Sequence, residues 1–222
     1  MDVESDFMRL EADLYSLQQW YKGRKQTEYI TIEYMNDFAR ILNGDNIDIP
    51  NIHMDESHIF HDELIRIYEQ YPDNAEIVGA FADGLGSLFS ATYLGDFREK
   101  EGIIFFEKLR AIYEKNPYNE KVAVAYARSN YVAYVDMDKN KFLLEEYRNL
   151  FRNTPNNYWV LYYYANTIKR LVYKKCDFVR PEEVESLANK LRELIEVHPD
   201  YNIEALYSDM LGVLKEIETA PM

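Results

Sequence analysis

The chain is poor in residues that cross-link or punctuate a fold. Its 222 residues include one cysteine, Cys176, which excludes an intramolecular disulfide framework and any multi-cysteine zinc site. Glycine and proline number only 8 and 7, too few for glycine-rich phosphate loops or for the dense turns of an all-β fold. Basic residues are outnumbered: 25 Lys and Arg against 39 Asp and Glu give a formal net charge of −14. Duplex nucleic acid is held by Lys and Arg that displace counterions from phosphates, so no nucleic-acid partner is expected. No stretch approaches the roughly 20 apolar residues of a membrane-spanning helix. The start, Met1-Asp2-Val3-Glu4-Ser5-Asp6, is acidic where a secretory leader is basic. The expected setting is cytoplasmic, with no membrane partner. At 47% hydrophobic residues there is ample material for a core.

What the chain does have is an internal repeat. Four segments end in proline: Leu64 to Pro72, Leu109 to Pro117, Tyr147 to Pro155 and Leu191 to Pro199. Each carries large apolar residues eight, five and four positions before its proline. Apolar residues three and four apart share one face of a helix, so each segment reads as the last turns of an amphipathic helix. The proline then ends it, because the residue before a proline is driven out of the α region. Asn74, Asn119 and Asn157 each follow two positions later, where a short polar side chain caps a new helix. The new helices share a second template, Ala80-Phe81-Ala82, Ala125-Tyr126-Ala127 and Tyr163-Tyr164-Ala165, in which a ring fills space beside a small residue that admits a neighbouring helix. The fourth copy, from Asn202 to Leu214, is degenerate, as a terminal repeat is expected to be.

This pattern resembles the tetratricopeptide repeat. Val78, Phe81, Ala82 and Leu85, then Leu109, Ile112 and Pro117, match its motif, as do Tyr126, Ala127, Leu150 and Pro155; Gly95-Asp96-Phe97 is similar to its inter-helix turn. The likeness covers roughly residues 56 to 218. It departs in length: the prolines are 45, 38 and 44 residues apart, where the family's repeat is about 34. The implied fold is all-α, an α-α superhelix or solenoid of TPR-like antiparallel helical hairpins. Ten helices are expected, over residues 5–22, 27–43, 56–71, 74–93, 98–116, 119–136, 139–153, 156–174, 181–197 and 202–218. Residues 1–55 read as an N-terminal helical hairpin and loop that caps the array, and residues 56–222 as one continuous repeat domain.

Candidate chemistry is sparse. His53, His58 and His61 lie among Asp55, Glu56, Asp62 and Glu63, and His58 and His61 are spaced to share a helix face, as metal ligands would. The Glu-bearing, four-apart spacing of metalloprotease helices is absent, and acidic residues at a helix start are explained by the helix dipole. Cys176 sits beside Lys174 and Lys175, which favour a thiolate, but no histidine is near it in sequence. Glu145-Glu146 and Glu182-Glu183 read as solvated charge rather than as an acid–base pair facing a cleft. Gly79, Gly84 and Gly86 fit no phosphate loop and point to close helix packing. No catalysis and no cofactor are expected.

The 20 tyrosines are the strongest functional signal. Tyr162, Tyr163 and Tyr164 are about 100° apart around a helix, so they cannot all face the core; Tyr164 matches the packing position, which turns Tyr162 elsewhere. In the family the first helices of the hairpins line a concave groove that takes peptides. The resemblance therefore puts Lys121, Arg128, Tyr131, Trp159, Tyr162, Asn166, Lys169 and Arg170 on or near that groove, and tyrosine and arginine are residue types that concentrate binding energy. The family's carboxylate clamp is not supported, because Asp83, Ala80, Val124 and Ala125 stand where it wants Lys or Asn. The implied function is a non-catalytic module that binds a protein or peptide segment, steered by its negative charge toward positive partners. The alternatives are a self-associating scaffold that forms a homo-dimer, and a metal-dependent protein using the His53 to His61 cluster.

Overall fold

The computed structural model describes the backbone of residues 3–43, 54–93, 99–134, 140–197, 199 and 201–219, with some side chains near these limits not described. The described residues form ten helices and no strand: α1 Val3–Lys22, α2 Glu28–Asn43, α3 Met54–Gln70, α4 Ala75–Tyr93, α5 Glu99–Lys115, α6 Glu120–Tyr134, α7 Asn140–Asn153, α8 Tyr158–Tyr173, α9 Pro181–Val197 and α10 Tyr201–Thr219. Every end lies within two residues of its sequence-based expectation. None of these helices is long and apolar enough to cross a membrane.

The proline junctions explain this agreement. The carbonyl before each proline accepts the backbone N–H of the asparagine three residues on: Tyr71 from Asn74 at 3.2 Å, Asn116 from Asn119 at 3.1 Å, and Thr154 from Asn157 at 3.2 Å. Proline thus stands second in a four-residue turn, where its fixed φ suits the backbone. Each asparagine then caps the next helix. Asn74 Oδ1 accepts from the N–H groups of Glu76 and Ile77 at 3.0 and 3.1 Å. Asn119 Oδ1 accepts from Val122 at 3.3 Å, and Asn157 Oδ1 from Trp159 and Val160 at 3.1 and 3.2 Å. The three junctions therefore share the same turn bond and the same capping bond from the N–H three residues after the asparagine. At the fourth, His198 and Asp200 flank Pro199 outside the described residues.

The aromatic template repeats in the packing as well. Four residues before each proline a ring meets the ring of the next helix's aromatic-small pair: Tyr68 with Phe81 at 4.6 Å, Tyr113 with Tyr126 at 4.8 Å, and Phe151 with Tyr164 at 5.8 Å between centroids. Each pair is thirteen positions apart. The corresponding fourth pair is Ile195 and an exposed Ser208, which is why that copy looks degenerate.

The chain divides into two compact units, residues 1–129 and 130–222, with the boundary inside α6. In the first, α4 packs against α2, α3 and α5, and α1 against α2. Glycines set how closely the helices approach: a Cβ on Gly79 would sit 2.9 Å from Lys121 Cβ, and one on Gly86 would sit 3.2 Å from both Arg128 Nη2 and Ser129 Oγ. In the second, α8 packs against α7, α9 and α10, and α9 against α10.

Helix α8 ends with an unusual residue. Lys175 has φ 57°, and the Cys176 and Lys175 N–H groups reach back to the carbonyls of Leu171 and Val172 at 3.0 and 2.8 Å. This is the paired bonding of a Schellman C-cap, whose left-handed position normally takes glycine. Lys175→Gly is therefore expected to stabilise the chain by about 1 kcal/mol, read as a higher urea midpoint. A lower midpoint would contradict the assignment.

Candidate functional site

Of the eight residues expected at a groove, Lys121 and Arg128 belong to the first unit. Lys121 is exposed, with Nζ 3.3 Å from Asn36 Oδ1. Arg128 is half-buried and tied to α4: its Nη2 donates to Asp83 Oδ1 at 3.0 Å, Ser87 Oγ at 3.1 Å and the Asp83 carbonyl at 3.3 Å. The sequence suggested an open cation here. In the structure the charge is used to fasten α6 to α4 across the close contact that Gly86 permits.

The other six fall in the second unit and share a row on α8 with the end of α6. From its capped start, α8 presents Trp159, Tyr162, Asn166, Lys169 and Arg170 at helical spacing on a partly exposed face, while Val160, Leu161, Tyr164, Ala165, Thr167 and Ile168 are buried. Trp159 is 50% exposed. Its ring lies 5.0 Å from Tyr158 and 5.8 Å from Tyr162, Tyr162 lies 5.4 Å from Tyr163, and Tyr163 lies 5.7 Å from Tyr131. Five rings thus run in unbroken contact from the first turn of α8 to α6. The expectation that Tyr164 packs inward while Tyr162 does not matches their burial. Asn166 turns its amide back on the Tyr162 carbonyl at 2.8 Å.

The two cations at the far end differ. Lys169 Nζ donates to Asp209 Oδ2 of α10 at 2.7 Å, and that bond holds its ammonium above the usual lysine range. Arg170 has no such acceptor. Its Cζ lies 5.8 Å from the Tyr131 ring, and its three guanidinium nitrogens are shielded from solvent with no hydrogen-bond partner among the described residues. Burial pushes the neighbouring Tyr147 phenol well above its ordinary range, so that phenol is neutral and supplies no counter-charge to Arg170.

A second polar site was not legible in the sequence. A cleft of about 420 Å³ lies between α7, α8 and α9, with Phe151, Tyr164, Arg148 and Glu183 among its walls. Glu183, expected to be solvated, has its side chain only 11% exposed and that of Arg148 is 15% exposed. They pair through two bonds, Nε to Oε1 at 2.8 Å and Nη2 to Oε2 at 2.7 Å, with Arg148 also donating to Glu145 and to the Phe178 carbonyl at 3.3 Å. Tyr164 donates its hydroxyl to Glu183, and burial and that bond push the phenol above its usual range. With the carboxylate held by two donor groups and the guanidinium by three acceptors, this network offers no idle acid or base. It joins three helices.

The side chains of His53, His58 and His61 and the Gly95-Asp96-Phe97 turn lie outside the described residues. Among the described residues no group of His, Cys, Asp and Glu is arranged to hold a metal ion. Cys176 is a free, half-buried thiol in the turn after α8. Comparison with family models, curated proteins and solved structures yields no match for this chain.

Proposed function

We propose that the chain is a non-catalytic, tetratricopeptide-like module that docks a protein or peptide segment along α8. The observation that carries this reading is the contiguous row Tyr158, Trp159, Tyr162, Tyr163 and Tyr131, partly open to solvent. Rings left half-exposed in a row forgo burial that the hydrophobic effect favours, and rigid aromatic side chains lose little entropy when a partner covers them. The three equivalent proline–asparagine junctions support a repeat architecture of stacked hairpins. Lys121 and Arg128 are left out of the docking set, since Arg128 serves the α4–α6 contact.

The test is a selection from a displayed library of random nonapeptides held between constant flanks. The wild type is expected to enrich a discrete set of sequences. The double variant Trp159→Ala, Tyr162→Ala is expected to bind those sequences at least tenfold more weakly with its helicity unchanged, because both side chains are partly exposed. Equal binding by wild type and variant would reject α8 as the docking face.

A further inference from the structure

The cleft between α7, α8 and α9, at about 420 Å³, is within the range of small-molecule sites. Its inner walls are already satisfied. Glu183 Oε1 accepts from Arg148 Nε and from the Tyr164 hydroxyl, and Oε2 accepts from Arg148 Nη2. Those bonds tie α7 and α8 to the first turn of α9, so the walls are held in place before any ligand enters. Phe151 and Tyr164 add apolar surface, with ring centroids 5.8 Å apart and planes inclined at 48°.

The outer walls are not satisfied in the same way. Arg152 and Arg180 both line the cleft and both are exposed, so their guanidinium groups are within reach of a solute. Arg152 is met by the neutral Asn149 Oδ1 at 3.0 Å, and the Arg180 side chain has no hydrogen bond or ion pair among the described residues. Ser186 adds an exposed hydroxyl, and Glu182 is the exposed carboxylate of the lining. Three arginines against two glutamates leave the lining one net positive charge, in a chain whose formal charge is −14.

We infer that this cleft is a binding site for a small aromatic carboxylate, separate from the docking face on α8. A carboxylate matches a guanidinium fork with two parallel bonds. Its one negative charge balances the lining, and a second would face Glu182. An aromatic body covers the apolar surface of Phe151 and Tyr164, and a guanidinium plane stacks on such a ring. The acidic chain repels anions at long range, so a preference for an acid over its uncharged counterpart has to come from local cations.

Calorimetric titration of the full chain tests this with three acids, 2-naphthoate, 3-phenylpropionate and indole-3-carboxylate, and with their primary amides. At least one acid is expected to bind at least tenfold more tightly than its amide. The double variant Arg152→Gln, Arg180→Gln, at two exposed positions, is expected to remove that preference while leaving helicity and melting temperature unchanged. Ser186→Trp, which fills the cleft from an exposed position, is expected to abolish binding of both acid and amide with helicity retained. The inference is overturned if no acid binds at about 5 mM, if acid and amide bind alike, or if acid binding survives either the double variant or Ser186→Trp. Tenfold tighter binding of 2-naphthyl phosphate than of 2-naphthoate would make the site one for phosphate and overturn it too. So would tenfold tighter binding of Gly-Gly-Phe with a free carboxylate than of 3-phenylpropionate, which would assign the cleft to a peptide end.

Discussion

Glu183→Ala is expected to destabilise the chain by about 3–5 kcal/mol, the range for stripping one partner from a buried ion pair. The side chains of Arg148 and Glu183 are both less than a third exposed, so solvent screens their loss only weakly. The substitution strands Arg148 Nε, leaves Nη2 only the Phe178 carbonyl and removes the acceptor of the Tyr164 hydroxyl. Most of the expected loss is the desolvation of donors left without acceptors, rather than lost attraction. Adding Arg148→Met and Tyr164→Phe to Glu183→Ala removes those donors, and the triple variant is expected to recover more than half of the loss. Urea denaturation of the wild type and the two variants measures both effects. If Glu183→Ala costs under 1 kcal/mol, the network contributes little to joining α7, α8 and α9.

A comparable loss, about 3–5 kcal/mol, is expected for Tyr126→Ala. Tyr126 is fully buried, stacked on Tyr113 at 4.8 Å and near Phe106 at 5.8 Å. Truncation leaves a cavity walled by two rings that belong to another helix, which limits how far the site can collapse. Phe81→Ala, the same position in the preceding junction, faces Tyr68 in the same stacked geometry and is expected to behave alike. Ser208→Ala, at the corresponding position of the last pair, is expected to change stability by less than about 0.5 kcal/mol, since that residue is exposed. Thermal and urea unfolding of the three variants reads the comparison. Similar small effects at all three positions would remove the basis for treating the junctions as equivalent.

Local signals placed the helices. Proline breaks a helix through its own ring and missing N–H, asparagine caps through its own side chain, and the 3.6-residue period of apolar positions is written in neighbouring residues. That is why Pro72, Pro117 and Pro155, with Asn74, Asn119 and Asn157, mark the helix ends correctly in advance. The burial of Tyr164 and the partial exposure of Tyr162 follow from the same geometry, because adjacent residues on a helix point about 100° apart.

The fate of each charge was decided at a distance. Glu183 looks like any acid in a first helical turn, where the dipole welcomes it; its guanidinium partner stands 35 residues earlier on another helix. Arg128 looks like a binding cation until the fold brings Asp83, 45 residues away, within 3.0 Å. Arg170 has Lys169 beside it in the chain, yet only Lys169 meets an acid, because Asp209 of α10 comes to one and not to the other. Backbone order is settled within a few residues by sterics and hydrogen bonding, so sequence determines it. Which charges are answered depends on side chains that only tertiary packing brings within about 4 Å, so the charge pairing along α8 was decided by the fold.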